Sequence, residues 1–100
     1  MSINLQTNII VTTPYNIVVA NTVLFINVAG PASVVLPAGA AGAVGRSYYI
    51  KDYSGNAVAN PITITASGGR LIDGNSFAML NGGYSHIQVV SDGSNWFTVA

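Results

Sequence analysis

The chain has 100 residues, of which 50% are hydrophobic and only 6% charged, with zero formal net charge. Arg46, Lys51 and Arg70 balance Asp52, Asp73 and Asp92, and glutamate and cysteine are absent. These counts leave no basic stripe to neutralise a nucleic-acid backbone, no disulfide or thiolate chemistry, and no Cys-based zinc site.

The opening Met1 to Gln6 carries no basic residue ahead of an apolar stretch, so a secretory signal is not expected and synthesis in a cytoplasm is. Residues 1–11 read as an N-terminal arm, overlapping a first strand expected at Asn8 to Thr12. Strands follow at Tyr15 to Ala20, Val23 to Val28, Ala32 to Leu36 and Ser47 to Asp52. Further strands are expected at Pro61 to Thr65, Arg70 to Ile72, Ser76 to Leu80, Tyr84 to Val90 and Asn95 to Val99. All are rich in the branched and aromatic residues that fit a pleated surface. Between them stand Thr13-Pro14, Gly30-Pro31, Ser67-Gly68-Gly69, Asp73-Gly74-Asn75, Asn81-Gly82-Gly83 and Ser91 to Asn95, where Gly and Asn supply turn conformations. Asp-Gly and Asn-Gly pairs between strands signal hairpins.

Alternation places Ile62 and Ile64 opposite Thr63 and Thr65, and Ile87 and Val89 opposite His86, Gln88 and Val90. The runs Ile17 to Val19 and Val23 to Ile26 are continuously apolar and read as strands buried on both faces, with another subunit supplying the second face. Segment 37–45 is built of small residues and reads as a loop able to approach another chain closely. No long internal repeat is evident, so hairpin connections rather than a solenoid are expected. The expectation is a single β domain over 1–100: a compact antiparallel sandwich or barrel of many short strands. No run of about 18 apolar residues exists to form a membrane helix.

Catalytic constellations are thin. Adjacent Ser85 and His86 point to opposite faces of a strand and cannot act together. Three dispersed aspartates without glutamate do not make the carboxylate pair of a glycosidase or an ion-binding loop. No catalytic, cofactor or metal residue is assigned, and the chain is read as a non-enzyme. Tyr48, Tyr49, Tyr53, Tyr84 and Trp96 could stack on sugars if clustered and exposed, but Trp96 reads as a core plug. Arg46 and Arg70 read as partners of aspartates or interface anchors.

An ordinary soluble domain carries about 25% charged residues. The deficit here, on a small chain with much surface per volume, implies faces covered by neighbouring subunits. Neutrality also removes the self-repulsion that keeps proteins apart.

Leu36-Pro37, Gly45-Arg46, Tyr49-Ile50-Lys51-Asp52 and Ser54-Gly55-Asn56-Ala57 are followed by Asn60-Pro61-Ile62-Thr63-Ile64, Ile72-Asp73-Gly74 and Ser91 to Trp96. In this order the chain resembles a β-domain of tailed-phage virion proteins, with Tyr15 to Val28 as its leading strands. The resemblance implies a structural virion role and a homotrimer, with no catalytic residues. A chain of this length, without shaft or heptads, suits a capsid decoration or cement protein bound to the major capsid protein on the outer head surface. A tail-fibre or tail-tip component binding host glycans is the alternative.

Overall fold

The computed structural model describes residues 7–17, 23–37 and 46–99. Their strands are β1 (Thr7–Ile10), β2 (Tyr15–Asn16), β3 (Val23–Ile26), β4 (Ala32–Leu36), β5 (Ser47–Asp52), β6 (Ile62–Ala66), β7 (Phe77–Leu80), β8 (His86–Ser91) and β9 (Trp96–Thr98). They form a five-stranded sheet, β1-β3-β5-β8-β9, and a four-stranded sheet, β2-β4-β6-β7.

The expected all-β character holds, but the architecture is neither a barrel nor purely antiparallel. The chain alternates between the sheets from β1 to β6. Each return lays a strand parallel to its predecessor, β1 on β3 on β5 in one sheet and β2 on β4 on β6 in the other. Only the last three strands add antiparallel pairings, β6–β7, β5–β8 and β8–β9. The physical reason is that hairpins need adjacent strands joined by tight turns, whereas successive strands here go to opposite sheets and meet their partners one winding later. From β1 to β6 this winding is solenoid-like, contrary to the expected hairpin connections, while the β8–β9 hairpin agrees with them.

The core lies between the sheets. Leu24, Ile26, Tyr48, Ile50, Ile87, Val89 and Trp96 face it from one side, and Ala32, Val34, Leu36, Ile62, Ile64 and Leu80 from the other. Each fully buried Leu, Ile or Val contributes roughly 1.5–3 kcal/mol relative to exposure. Strict alternation governs β3 as well: Leu24 and Ile26 are buried while Val23 and Phe25 are only half-buried. Of the two buried faces expected for Val23 to Ile26, the chain itself covers one. Ile17 is buried as expected, and Val18 and Val19 lie outside the described residues.

Some boundaries agree with expectation, notably Ala32 to Leu36 and Ser47 to Asp52. Others move. Residues 7–10 of the expected N-terminal arm are a sheet strand, and residues 1–6 lie outside the described set. Most of the expected 37–45 loop does too, only Pro37 being described. Arg70 to Ile72 is not a strand but approaches β9 through an isolated bridge, Ile72 to Trp96. Asn56–Val58 and Ser67–Gly69 form single 3-10 turns.

Tyr48 and Trp96 pack with ring centroids 5.6 Å apart and planes tilted by 46°. The Tyr48 hydroxyl and the Trp96 Nε1 are both buried without a hydrogen-bond partner among the described residues. Burial pushes the Tyr48 phenol pKa up, with Arg46 opposing slightly. An unpaired buried hydroxyl costs about 1–3 kcal/mol in desolvation. Tyr48→Phe removes that cost and keeps the ring, so it is expected to raise stability by about 1 kcal/mol, read as a higher midpoint in urea unfolding at unchanged slope. A lower midpoint shows that the hydroxyl has a partner.

Candidate interaction surface

The three aspartates are spent on backbone. Asp52, at the end of β5, is 1% exposed. Its Oδ2 accepts the N–H groups of Tyr84 at 2.9 Å and Ala57 at 3.1 Å, and its Oδ1 accepts that of Gly55 at 3.2 Å. Burial acts to raise its pKa, but the N–H groups of Tyr84, Ala57, Gly55 and Ser54 outweigh that and hold the carboxyl below the usual carboxylate range. This carboxylate joins the corner after β5 to the connection before β8.

The corner explains two exceptional conformations. Gly55 has φ +84°, and a Cβ there would lie 2.8 Å from Cε2 of the Tyr84 ring. Tyr84 itself has φ +60°, rare for a bulky residue. It sits in a turn, so the strand expected from Tyr84 begins instead at His86. Lys51 Nζ donates to the Tyr84 carbonyl, and the ammonium lies 6.0 Å from the Tyr84 ring centroid.

Asp73 and Gly74 both take positive φ, the pattern of a type I′ turn, within a reciprocal pair of hydrogen bonds between Ile72 and Asn75. The Asp73 carboxylate accepts from the backbone N–H and the hydroxyl of Thr98. Asp92 Oδ1 accepts from Ser94 and Asn95 N–H at 2.9 and 2.8 Å in the β8–β9 turn, and these bonds hold its carboxyl below the usual range. Arg70 donates to the Ser94 carbonyl rather than to an aspartate, the first of the two roles expected for it. No group of three metal-ligating side chains occurs among the described residues.

With the aspartates so engaged, the outward sheet faces carry almost no charge. Register places Ile9, Phe25, Lys51 and His86 in one row across the five-stranded sheet, and Thr7, Val23, Tyr49 and Gln88 in the next. An open depression of about 240 Å³ lies here, lined by Val23, Phe25, Tyr49, Ile50, Lys51 and His86. Across the other sheet the rows are Asn16, Val35, Thr65, Phe77 and Ser33, Thr63, Met79. Lys51 is the one formally charged side chain among these outward strand residues. Ile9, Phe77, Met79 and Phe97 are 54%, 49%, 44% and 43% exposed.

The aromatic residues named from sequence divide. Tyr48 and Trp96 are buried, which removes them from any sugar platform. Tyr49 is half-buried beside the depression, and Tyr53 and Tyr84 are exposed. Phe25, unmarked in the sequence because its run read as doubly buried, packs on Tyr53 with centroids 5.4 Å apart. His86 stands exposed at the start of β8, in register with Lys51.

The winding also fixes the edges. β1 and β2, from the first winding, form the outer edges of the two sheets on the parallel side, and β9 and β7 form the other edges. Edge strands present unpaired backbone groups that proteins ordinarily shield with charge, proline or bulges. Here β1 reads Thr-Asn-Ile-Ile, without any of them.

Comparison with known proteins finds no protein-family model that matches the chain and no curated protein that matches it.

Proposed function

We propose that this chain is a self-associating structural protein of a tailed-phage virion, a trimeric decoration protein that braces the outer surface of the head. The observation that carries the reading is the pair of sheet faces bearing partly exposed Ile9, Phe77, Met79 and Phe97 with Lys51 as their one ion. Monomeric proteins rarely leave such faces to water. The resemblance in Tyr49 to Asp52, Asn60 to Ile64 and Ser91 to Trp96 supplies the virion setting.

The mechanism is linkage. A trimer that binds only the assembled shell, bridging neighbouring capsid subunits, stabilises that shell by its own binding free energy. Light scattering is expected to give a mass of about 31 kDa, three times the 10.3 kDa chain. A monomer at high micromolar concentration overturns the reading. Cryo-EM of the virion is expected to place the chain on the head, and density on the tail alone rejects that placement.

The Phe25 and Tyr49 side chains lining the depression, with Tyr53 packed on Phe25, favour one second reading, a tail component that holds host glycans by ring stacking. Saturable binding on a glycan array, lost in Tyr49→Ala, supports it, and a silent array rejects it.

A further inference from the structure

Three Asx-Gly pairs occur in the described chain: Asp73-Gly74, Asn81-Gly82 and Asp92-Gly93. In the first and third the side chain is tied down, Asp73 by Thr98 and Asp92 by the N–H groups of Ser94 and Asn95. Both glycines there also need positive φ, +79° at Gly74 and +99° at Gly93. The middle pair differs on every count. Asn81 is exposed, and no hydrogen bond holds its side chain or the Gly82 N–H among the described residues. Gly82 is not at positive φ, and a Cβ there would meet only Ser85 Cβ at an ordinary 3.8 Å. Asn81-Gly82 does not make a hairpin turn at all, because it lies on the connection from β7 in one sheet to β8 in the other. Neither conformation nor space requires glycine at 82.

From these differences we propose that Asn81 is a site of spontaneous deamidation, the position among the described residues where this chain modifies itself fastest by ageing in water. The Gly82 backbone nitrogen, having given its proton to hydroxide, attacks the Asn81 side-chain carbonyl carbon. A nitrogen–carbon bond forms, the carbon–nitrogen bond of the side-chain amide breaks, and ammonia leaves after taking up a proton. Water then opens the five-membered succinimide at either carbonyl and yields aspartate or isoaspartate. No oxidant or enzyme is needed. Glycine favours the step because it sets no side chain against the closing ring.

The products reach beyond residue 81. Each adds one negative charge to a chain whose formal net charge is zero. Isoaspartate also inserts a methylene into the backbone of the connection that carries the Ser85 N–H to Gly82 carbonyl bond (3.1 Å) and the Tyr84 N–H to Asp52 bond (2.9 Å).

The test is peptide mapping by mass spectrometry of the purified full chain after incubation in mildly alkaline buffer at physiological temperature. A gain of one mass unit is expected to concentrate on the peptide containing Asn81, with isoaspartate the larger product. The exposed Asn56 and Asn75 serve as internal controls and are expected to lag by an order of magnitude or more. Gly82→Ala, with folding confirmed by circular dichroism, is expected to slow the reaction to the pace of those controls. Deamidation of Asn81 no faster than Asn56 and Asn75 overturns the proposal, as does an unchanged rate in a folded Gly82→Ala.

Discussion

Asp52→Ala is expected to remove a large share of this protein's stability, about 2–4 kcal/mol. The substitution abandons three N–H groups, of Gly55, Ala57 and Tyr84, around a site that is 1% exposed. The Ala57 donor is buried and those of Gly55 and Tyr84 are part-buried. An unsatisfied buried donor costs about 1–3 kcal/mol and water reaching the other two lowers theirs, so the loss is about 2–4 kcal/mol. Against a usual total of roughly 5–15 kcal/mol this is a large fraction. Urea unfolding followed by circular dichroism measures it. A loss below about 1 kcal/mol means the three donors find other acceptors.

The same carboxylate sets an acid limit. Its folded pKa is depressed, so its contribution is fully present above the unfolded value of about 3.9 and is lost as pH falls through the lower folded value. Stability is therefore expected to hold at neutral pH and decline below about pH 4. In Asp52→Asn, which has no charge to lose, that part of the decline disappears. A variant whose acid profile parallels the native one assigns the dependence elsewhere.

Trp96→Ala is expected to have the other large effect, about 3–5 kcal/mol, through the cavity left where β9 closes the core. The ring is fully buried and packs on Tyr48. Its backbone also ties down the segment before β7: the Trp96 N–H donates to the Leu71 carbonyl and the Trp96 carbonyl accepts the Asp73 N–H, both at 2.9 Å. Those bonds survive the substitution, so the lost stability reports the side chain. Far-ultraviolet circular dichroism in urea is the measurement, since the intrinsic fluorophore goes with the residue. A midpoint near the native value contradicts a filled core at this position.

Strand positions were legible in the sequence because β propensity and alternation are local. Ala32 to Leu36, Ser47 to Asp52 and the inward Ile62, Ile64, Ile87 and Val89 follow from β propensity and period two, and Trp96 from the size of its ring. Pairing was legible only in the last two strands, where Asp92-Gly93 marks the β8–β9 hairpin. Asp-Gly and Asn-Gly advertise hairpins, but Thr7 meets Val23, Val23 meets Tyr49 and Ala32 meets Ile62, each across a long stretch of chain. The spacings of these partners are unequal, which hides the winding from any search for a fixed period. Tyr84 was misread as a strand residue because its β propensity yields to the hydrogen bond from its N–H to Asp52 and to the space above Gly55. Of the candidate surface, scarcity of charge was readable at once. That Lys51 alone punctuates the outward rows, with Phe25 beside it, needed the register.

The winding separates two kinds of length. The corner between β1 and β2, residues 11–14, only has to carry the chain from one sheet to the other, and closing a slightly longer loop adds a few tenths of a kcal/mol. A single-residue insertion inside β3 is another matter. It turns Leu24 and Ile26 toward water and mismatches two ladders at once, those with β1 and β5. Insertions and deletions in a lineage of such chains accordingly accumulate at the bends, while the straight segments keep a constant residue count.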